Sequence, residues 1–239
     1  MINPLEISIR NFGGKEYKTL AVNEISLLRQ GKQTAILNLK VNNKELIKKY
    51  CSEADVVHHL AGVTNVPRTK SEASIDQDAK IKEVGEKGTQ NILDAISNKC
   101  KIIFPSTHVV YEGIEKVKND IKEDEETKPV LSYSSSKAIN EKQLKESGKN
   151  YVILRLGSVY GYSTDTTRID IMPNLFSKIA SQNGMLKLFS GGRQVKSLVP
   201  LIDVARCFKF MEERQDLSFG VFNFCLLYTS DAADEGLGV

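Results

Sequence analysis

The chain has 239 residues, of which 41% are hydrophobic and 26% are charged, a composition that is typical of a globular domain and excludes a disordered chain. Its 33 basic and 30 acidic residues give a net charge of +3 and are scattered, so the charge pattern offers no reason to expect nucleic-acid binding. No apolar run reaches the roughly 18 residues of a membrane-spanning helix, and the four cysteines form no Cys-x-x-Cys pair. We therefore expect a cytoplasmic protein of enzyme size with reduced thiols and no membrane partner.

Continuous apolar segments alternate along the chain with segments of helical period. An alternating strand is predicted first, at Leu5–Ile9, with nothing before it that could supply another strand and helix. Strands buried on both faces are then expected at Thr34–Leu39, Ala54–Leu60, Lys101–Phe104 and Tyr151–Leu156. Helices are expected at Asn43–Tyr50, Ser74–Asn98, Leu131–Glu146, Ile171–Ser181 and Asp203–Arg214. This alternation predicts an α/β fold, a doubly wound parallel sheet that lacks its first strand–helix unit.

In such a sheet, ligands bind beyond the carboxyl ends of the strands. The residues just past those ends are Ala61 and Gly62, then Ser106 and Thr107, then Gly157 with Ser158. The hydroxyl groups of Ser106 and Thr107 could hydrogen-bond a substrate oxygen. We therefore look for the functional site at this edge.

Tyr133 and Lys137 lie four residues apart in a predicted helix and so share one face. A lysine ammonium beside a phenol favours the phenolate and lowers the tyrosine pKa from about 10, which makes the tyrosine a usable general acid or base. One such pair is expected by chance in a chain of this composition. Taken alone, the pair is as well explained by an exposed helix surface.

Six ordered motifs surround this pair. They are 55–62 (DVVHHLAG), 88–95 (GTQNILDA), 103–111 (IFPSTHVVY), 129–137 (PVLSYSSSK), 153–161 (ILRLGSVYG) and 199–205 (VPLIDVA). With these motifs, the sequence resembles the extended short-chain dehydrogenase/reductase family, the NAD-dependent epimerase/dehydratase group that acts on nucleotide sugars. The resemblance covers roughly residues 36–224 and implies a Rossmann-like fold.

The resemblance implies a catalytic set. Tyr133 would be the acid/base, Lys137 would bind the nicotinamide ribose and tune the tyrosine, and Thr107, with Ser106 beside it, matches the family's catalytic Ser/Thr position. The implied activity is that of an NAD(P)-dependent nucleotide-sugar epimerase or ketoreductase. Dehydratases carry Asp-Glu after the catalytic threonine; here those positions are His108 and Val109, which disfavours dehydration.

The resemblance also implies binding residues and partners. The cofactor, NAD or NADP, would contact Lys137 and a further set of residues, which are Leu60, Ala61, Gly62, Leu156 and Gly157. The nucleotide-sugar substrate would contact Thr107, Ser158 and Lys196. Arg10 could meet an NADP 2′-phosphate, although a solvated loop arginine explains it equally well. Family members are commonly homodimers built on the two long helices.

Several positions depart from the family pattern. The Gly-x-x-Gly-x-x-Gly turn that holds the cofactor pyrophosphate is absent from the sequence. The adenine-contacting Asp falls on Lys40, the Asn before Gly-Thr falls on Gly85, the substrate Asn falls on Ser158, and the diphosphate Arg falls on Lys196. We therefore expect the chain as written to bind cofactor weakly. A non-catalytic nucleotide-binding or regulatory protein of the same fold is the alternative.

The expected division of the chain has three parts. A partial cofactor domain takes residues 1–157 and 195–215, and a truncated substrate-binding region takes 158–194 and 216–224. The remaining segment, 225–239, is expected to be an artefactual tail, since its first eleven residues resemble a translated sequencing adapter.

The three histidines do not indicate a metal site. His58 and His59 are adjacent on a predicted strand, so their side chains point to opposite faces, and His108 is distant in sequence. No ligand spacing typical of zinc is present. Histidines with satisfied hydrogen bonds in the core or at a sheet edge are the expected state.

Overall fold

The computed structural model describes eleven segments of the chain. They are residues 5–10, 16–21, 25–27, 35–37, 47–48, 51–63, 75–114, 118, 120–162, 168–188 and 196–228. Up to residue 37 it describes the backbone alone. Two residues of the predicted helix Asn43–Tyr50, Ile47 and Lys48, are described and are helical. Lys40, the position expected to contact adenine, lies outside the described residues.

A four-stranded parallel sheet forms the core of the described structure. Its strands are β5 (Val56–His58), β6 (Lys101–Thr107), β7 (Asn150–Leu156) and β10 (Gly220–Phe224), in the order β10-β7-β6-β5. All side chains of β6 except Pro105 are buried, and so are all of β7 except Asn150. Burial on both faces is why these strands are recognisable as continuous apolar runs, and the predicted parallel α/β sheet is confirmed.

Helices cover both faces of this sheet. The helices are α1 (Ile75–Lys82), α2 (Gly88–Ala95), α3 (Ser132–Glu146), α4 (Met172–Ser181) and α5 (Leu201–Glu213). Ile102 of β6 belongs to a core cluster with Ile92 of α2 and Leu144 of α3, whereas its neighbour Ile103 belongs to a second cluster with Phe208 of α5. Since successive strand residues point to opposite faces, the sheet is doubly wound.

The predicted helix Ser74–Asn98 is interrupted. A π-helical turn, Glu83–Lys87, joins α1 to α2. There the carbonyl of Gly85 accepts hydrogen bonds from the Thr89 hydroxyl at 2.7 Å and from the Asn140 amide of α3 at 3.1 Å. Single π-helical turns of this kind frequently occur at functional sites.

The strand predicted at Thr34–Leu39 does not join the parallel sheet. It is observed as β4 (Ala35–Leu37), which pairs antiparallel with β3 (Ile25–Leu27). The predicted first strand, observed as β1 (Leu5–Arg10), likewise pairs antiparallel with β2 (Glu16–Ala21). Short connections between neighbouring segments permit antiparallel pairing, whereas a parallel pair needs a long crossover.

A second sheet is built from strands that interleave with those of the parallel sheet along the chain. It contains β8 (Ser158–Tyr160), β9 (Lys196–Pro200) and β11 (Leu226–Tyr228), with β9 in the middle. β11 lies in the segment that the sequence assigns to the tail. The sequence also assigns residues 216–224 to the substrate region. In the structure, β10 lies in this segment and pairs in parallel with β7. Phe222 and Phe224 of β10 pack on the core cluster of α5.

Among the residues that the structure describes, no helix is both long and apolar enough to cross a lipid bilayer.

The C-terminal end of α5 is capped by a buried lysine. Lys101 is 1% exposed, and its Nζ donates to the carbonyls of Met211 and Arg214, at 2.6 Å each. The final carbonyls of a helix lack partners within the helix and carry a partial negative charge, so an ammonium group there is favourable. This contact ties α5 to β6.

Replacing Lys101 by methionine leaves those carbonyls without their donor. We expect Lys101→Met to lower the free energy of unfolding by about 2 kcal/mol, measured by urea denaturation followed by circular dichroism. The control is Lys209→Met, because Lys209 lies exposed on α5 and pairs with the exposed Glu213. The control should change stability by no more than about 0.5 kcal/mol, and equal losses in both variants would contradict the capping role.

Candidate active site

A small, open cleft, with an enclosed volume of about 20 Å³, lies beside the carboxyl end of β5. It lies between the turn that follows this strand, α1, the π-helical turn and α3. Its lining residues are Ala61, Gly62, Val63, Ile81, Gly85, Tyr133, Ser136, Lys137 and Asn140. Four of the predicted site residues, Ala61, Gly62, Tyr133 and Lys137, are thus brought together where a doubly wound sheet binds its ligands.

The start of α3 is held by a carboxylate. Oε1 of Glu112 accepts hydrogen bonds from the backbone N–H groups of Val130 and Leu131, at 2.8 Å each, and a short hydrogen bond from the Ser134 hydroxyl. A negative charge at a helix N-terminus is favourable because it faces unpaired N–H groups. Glu112 therefore positions the first turn of α3, which carries Tyr133.

Lys137 extends from α3 to the end of β6. Its Nζ donates to the carbonyl of Pro105 at 2.8 Å and lies 4.4 Å from the centre of the Phe104 ring and 6.0 Å from that of Tyr133. Burial lowers the pKa of Lys137 to about 8, opposed by the negative charge of Glu141. The ammonium form therefore predominates at neutral pH.

The expected lowering of the tyrosine pKa is not observed. Burial raises the pKa of Tyr133 above its usual value of 10, and the positive charge of Arg168 opposes this change. Removing a phenolate from water disfavours it more than these surroundings stabilise it. Tyr133 is thus a protonated phenol at neutral pH.

Ser106 and Thr107 lie within β6 rather than beyond it, and neither lines the cleft. The Ser106 hydroxyl donates to Oε1 of the buried Glu141 at 2.6 Å. A serine has one proton to donate, so this contact argues against the predicted donation to a substrate. Thr107 instead accepts from the backbone N–H of Val109 at 3.3 Å, which leaves its own proton to donate.

The turn after β5 fits a ligand that approaches Lys137. Leu60 is 37% exposed, whereas Ala61 is buried. Gly62 has no side chain, and a Cβ atom placed there would lie 4.0 Å from Nζ of Lys137. That distance is an ordinary van der Waals contact, so Gly62 lies beside the ammonium and a small side chain would also be accommodated there.

Two other predicted cofactor residues, Leu156 and Gly157, are engaged by protein contacts. The carbonyl of Leu156 accepts from the His108 ring at 3.0 Å, and the N–H of Gly157 donates to the Phe224 carbonyl at 3.0 Å. A Cβ atom on Gly157 would come within 3.0 Å of the Ser197 carbonyl oxygen. Close packing of β9 thus accounts for this glycine.

The predicted substrate residues lie apart from the cleft lining. Ser158 begins β8 and Lys196 begins β9, so both belong to the second sheet, and Lys196 is exposed. Arg10 ends β1 opposite Glu16, in a separate two-stranded sheet. The side chain of Arg10 lies outside the described part of the chain.

His59 is a buried neutral histidine that sequence reasoning did not connect to the site. The Thr89 hydroxyl donates its only proton to the Gly85 carbonyl. Nε2 of His59, which lies 2.9 Å from the same hydroxyl oxygen, must therefore be the donor in their hydrogen bond. Nδ1 then keeps a lone pair and has no partner among the described residues. Burial, reinforced by the positive charge of Lys137, lowers the pKa of His59 to about 3.

The departure at Gly85 is matched by its neighbours. A Cβ atom on Gly85 would lie 2.5 Å from the Ser136 hydroxyl oxygen, so the Ser136 side chain would have to shift to admit a larger residue. Asn140 of α3 instead supplies an amide, which donates to the Gly85 carbonyl. The substitution is therefore a repacking between α3 and the π-helical turn.

Sequence reasoning also missed the buried pair Glu141 and Arg155. Two signals could have found it. Arg155 is a charged residue in an otherwise apolar strand, where it needs a partner. Glu141 continues the four-residue spacing of Tyr133 and Lys137 on one face of α3.

Within the described residues, no group of three or more His, Cys, Asp or Glu side chains could hold a metal ion.

A family model described as the NAD-dependent epimerase/dehydratase family matches residues 12–225 of the chain. The match ends at the first residue of the predicted tail. No curated protein matches the chain.

Several solved structures are similar to this one. The UDP-glucose 4-epimerase of Thermotoga maritima, solved with UDP-glucose, has 22% identity and a TM-score of 0.65, over 82% of this chain and 64% of that one. Pal from Bacillus thuringiensis has 23% identity and a TM-score of 0.67, over 82% and 63%. A mutant UDP-glucuronic acid 4-epimerase of Bacillus cereus, in complex with UDP-4-deoxy-4-fluoro-glucuronic acid and NAD, has 24% identity and a TM-score of 0.62, over 75% and 56%.

At these identities the likeness establishes the Rossmann-like fold. The chain spans between 56% and 64% of the length of these three proteins.

The burial of neutral His59 predicts a pH dependence of stability. The pKa of His59 is about 3 in the folded protein and near 6.5 when unfolded, so the unfolded state binds more protons between these values. The free energy of unfolding should therefore fall as the pH drops below 6.5, with about 1.4 kcal/mol per pH unit from this residue.

Urea denaturation between pH 6 and pH 4 measures that slope. His59→Gln should remove the contribution of His59 to the change of unfolding free energy with pH. Thr89→Val should lower the stability but keep that pH dependence, because His59 stays buried. A slope that is unchanged in His59→Gln would contradict the assignment.

Proposed function

Because the chain belongs to the NAD-dependent epimerase/dehydratase family, we propose that it serves as an NAD(P)-dependent epimerase or ketoreductase of a nucleotide sugar. The observation that carries the proposal is the cleft in which Tyr133 and Lys137 face Ala61 and Gly62. The similar structures solved with UDP-sugars support a uridine diphosphate sugar as the substrate class.

Tyr133 acts as the proton carrier in this proposal. A protonated phenol in the cleft can donate to a sugar carbonyl oxygen during reduction, and its phenolate can take the proton of a sugar hydroxyl during oxidation. The ammonium of Lys137, whose Nζ lies 6.0 Å from the centre of the ring, is the cation proposed to stabilise the phenolate as it forms. The raised pKa of Tyr133 keeps it in the phenol form, which is the form that carries a proton to donate.

The ribose end of a nicotinamide cofactor is the group proposed to lie at the cleft. Gly62 lies beside Nζ of Lys137, which has two further N–H groups after its bond to Pro105. The bound nicotinamide would supply hydride acceptance and return, which amino acid side chains cannot do. Leu60 and Ala61 complete the turn against which the ribose would lie.

Thr107 completes the proposed catalytic set. It lies at the carboxyl end of β6 and retains a hydroxyl proton for a substrate oxygen. His108 and Val109 follow it, and the ring of His108 is bonded to Leu156 while burial lowers its pKa. No acidic side chain occupies these two positions, which supports epimerisation or ketone reduction over dehydration.

A non-catalytic nucleotide-binding protein of the same fold is the second candidate. The raised pKa of Tyr133 and the bond of Ser106 to Glu141 favour it. The fit of Gly85 against Ser136 weakens it, because that departure has a packing explanation. A screen of UDP-sugars and keto sugars with NAD(P)H separates the two candidates.

We also propose a cytoplasmic homodimer. All four cysteines are free, in keeping with a reducing compartment. Ile139, on the outer side of α3, is 40% exposed and would be covered if this helix formed the dimer interface.

The absent glycine-rich turn predicts weak cofactor binding by this chain. Because a turn of that kind supplies backbone N–H groups to the pyrophosphate, NADH should show no saturation below about 100 μM in a fluorescence titration. Saturable binding at low micromolar NADH would contradict this expectation.

Conversion of a UDP-sugar at millimolar NAD tests the role of Tyr133. Tyr133→Phe should lower kcat by about 100-fold or more, because the proton carrier is lost, and change NADH affinity by no more than about threefold. The matched control is Tyr151→Phe, a buried tyrosine of β7 that packs against Phe219 away from the cleft. Turnover retained in Tyr133→Phe would remove the residue from its role.

A further inference from the structure

The most deeply buried ion pair in the described structure joins α3, at a residue one helical turn past Lys137, to β7. The side chains of Glu141 on α3 and Arg155 on β7 are 3% and 2% exposed. Nη2 of Arg155 donates to Oε2 of Glu141 at 2.7 Å, and Nε donates to Oε1 at 3.0 Å. Such a two-point contact fixes both the distance and the orientation of the two groups.

Adjacent residues of β6 hold two successive turns of α3. The Pro105 carbonyl accepts from Lys137, and the Ser106 hydroxyl donates to Glu141, four residues further along the helix. Ser106 lies opposite Arg155 in the parallel register of β6 and β7. The carboxylate of Glu141 therefore joins both strands at the level where Lys137 meets Pro105.

Further hydrogen bonds connect Arg155 to Tyr111 and, through it, to β10. Nη1 of Arg155 makes a short hydrogen bond to the Tyr111 hydroxyl and another, of 3.0 Å, to the Glu123 carbonyl. The Tyr111 hydroxyl lies 3.3 Å from the side-chain oxygen of Asn223 on β10. The charge of Arg155 is thus satisfied on both sides, and the whole cluster is anchored in the sheet.

Burying two charges is costly, and an apolar pair of similar volume often stabilises a fold equally well. A buried ion pair is therefore better explained by position than by stability. Here the position is one helical turn from Lys137, and Glu141 is the charged group that opposes the effect of burial on the pKa of Lys137.

From these contacts we infer that Glu141, held by Ser106 and Arg155, is a positioning residue that sets the placement and the charge of Lys137. The inference rests on the proposed function, in which Lys137 serves the cofactor and Tyr133. Ser106 then belongs to this positioning cluster rather than to the groups that touch substrate.

Four ionisable neighbours bear on the charge of Lys137 or Glu141. His59 faces the ammonium from β5 and is neutral, and Tyr133 faces it from the preceding turn of α3 as a phenol. Arg155 faces Glu141 from β7, and Nζ of the more exposed Lys145 lies 3.8 Å from Oε2. Glu141 therefore supplies the negative charge nearest to the ammonium among these groups.

Direct titration of Lys137 tests the inference without relying on activity. The full chain is labelled with ¹³C at lysine Cε, the Lys137 resonance is assigned as the one missing from Lys137→Arg, and its pKa is followed by NMR. Glu141→Gln should lower the pKa of Lys137 by about one unit or more, because the buried ammonium loses its facing carboxylate.

The control is Glu146→Gln, the same change on the same helix, at a side chain that is 65% exposed and pairs with Lys142. It should leave the Lys137 titration unchanged. A Lys137 pKa that is the same in folded Glu141→Gln and in the parent would overturn the inference, since a merely structural glutamate would lower stability without moving this titration.

Glu141→Gln leaves Arg155 buried without its carboxylate, so a second variant guards against failure to fold. Glu141→Leu combined with Arg155→Leu removes both charges together. In this double variant, the pKa of Lys137 should also lie below its value in the parent chain. An unchanged pKa would overturn the inference equally.

The same samples separate this inference from the proposed function. If the pKa of Lys137 falls in Glu141→Gln as expected, but the chain converts no UDP-sugar and binds no NADH at millimolar concentration, the positioning role stands and the enzymatic proposal fails. If the chain is active and Lys137 does not shift, the enzymatic proposal stands and the positioning role fails.

Discussion

The placement of α3 over the carboxyl ends of the central strands is the constraint on which the candidate site depends. Three contacts hold this helix at successive turns: Glu112 holds its start, the Pro105 carbonyl meets Lys137, and Ser106 meets Glu141. Because each contact lies at a different height along the helix, a slide or rotation of α3 would break several of them together. Tyr133 shares that helix and is placed with it.

Burial governs the charges in the cleft. Desolvation disfavours whichever form of a group is charged, so it raises the pKa of Tyr133 and lowers those of Lys137 and His59. Lys137 keeps its charge at neutral pH because the carboxylate of Glu141 opposes this effect. For His59, no negative charge among the described residues opposes the effect of burial on its pKa, so the ring stays neutral. The cleft therefore carries a partly buried cation, Lys137, beside a neutral phenol, Tyr133.

One departure from the family's residue pattern, at Gly85, is accompanied by close packing in the described structure. At Gly85 the family's asparagine is missing, yet the Asn140 amide donates to the Gly85 carbonyl across the helix interface. The π-helical turn makes this contact available, and Ser136 fills the space that a larger residue would need. Such a departure therefore indicates a different packing solution and need not mark a lost function.

The sequence by itself determined the parallel sheet, the helices around it and the pair Tyr133 and Lys137, because burial on both strand faces and the four-residue helical spacing are local patterns. It did not reveal that β4 pairs antiparallel, that β10 joins the sheet, or that Ser106 binds Glu141. The direction of the Tyr133 pKa shift was likewise decided by the tertiary structure. Strand partners, hydrogen-bond partners and desolvation depend on groups that are distant in the chain and meet only when it folds.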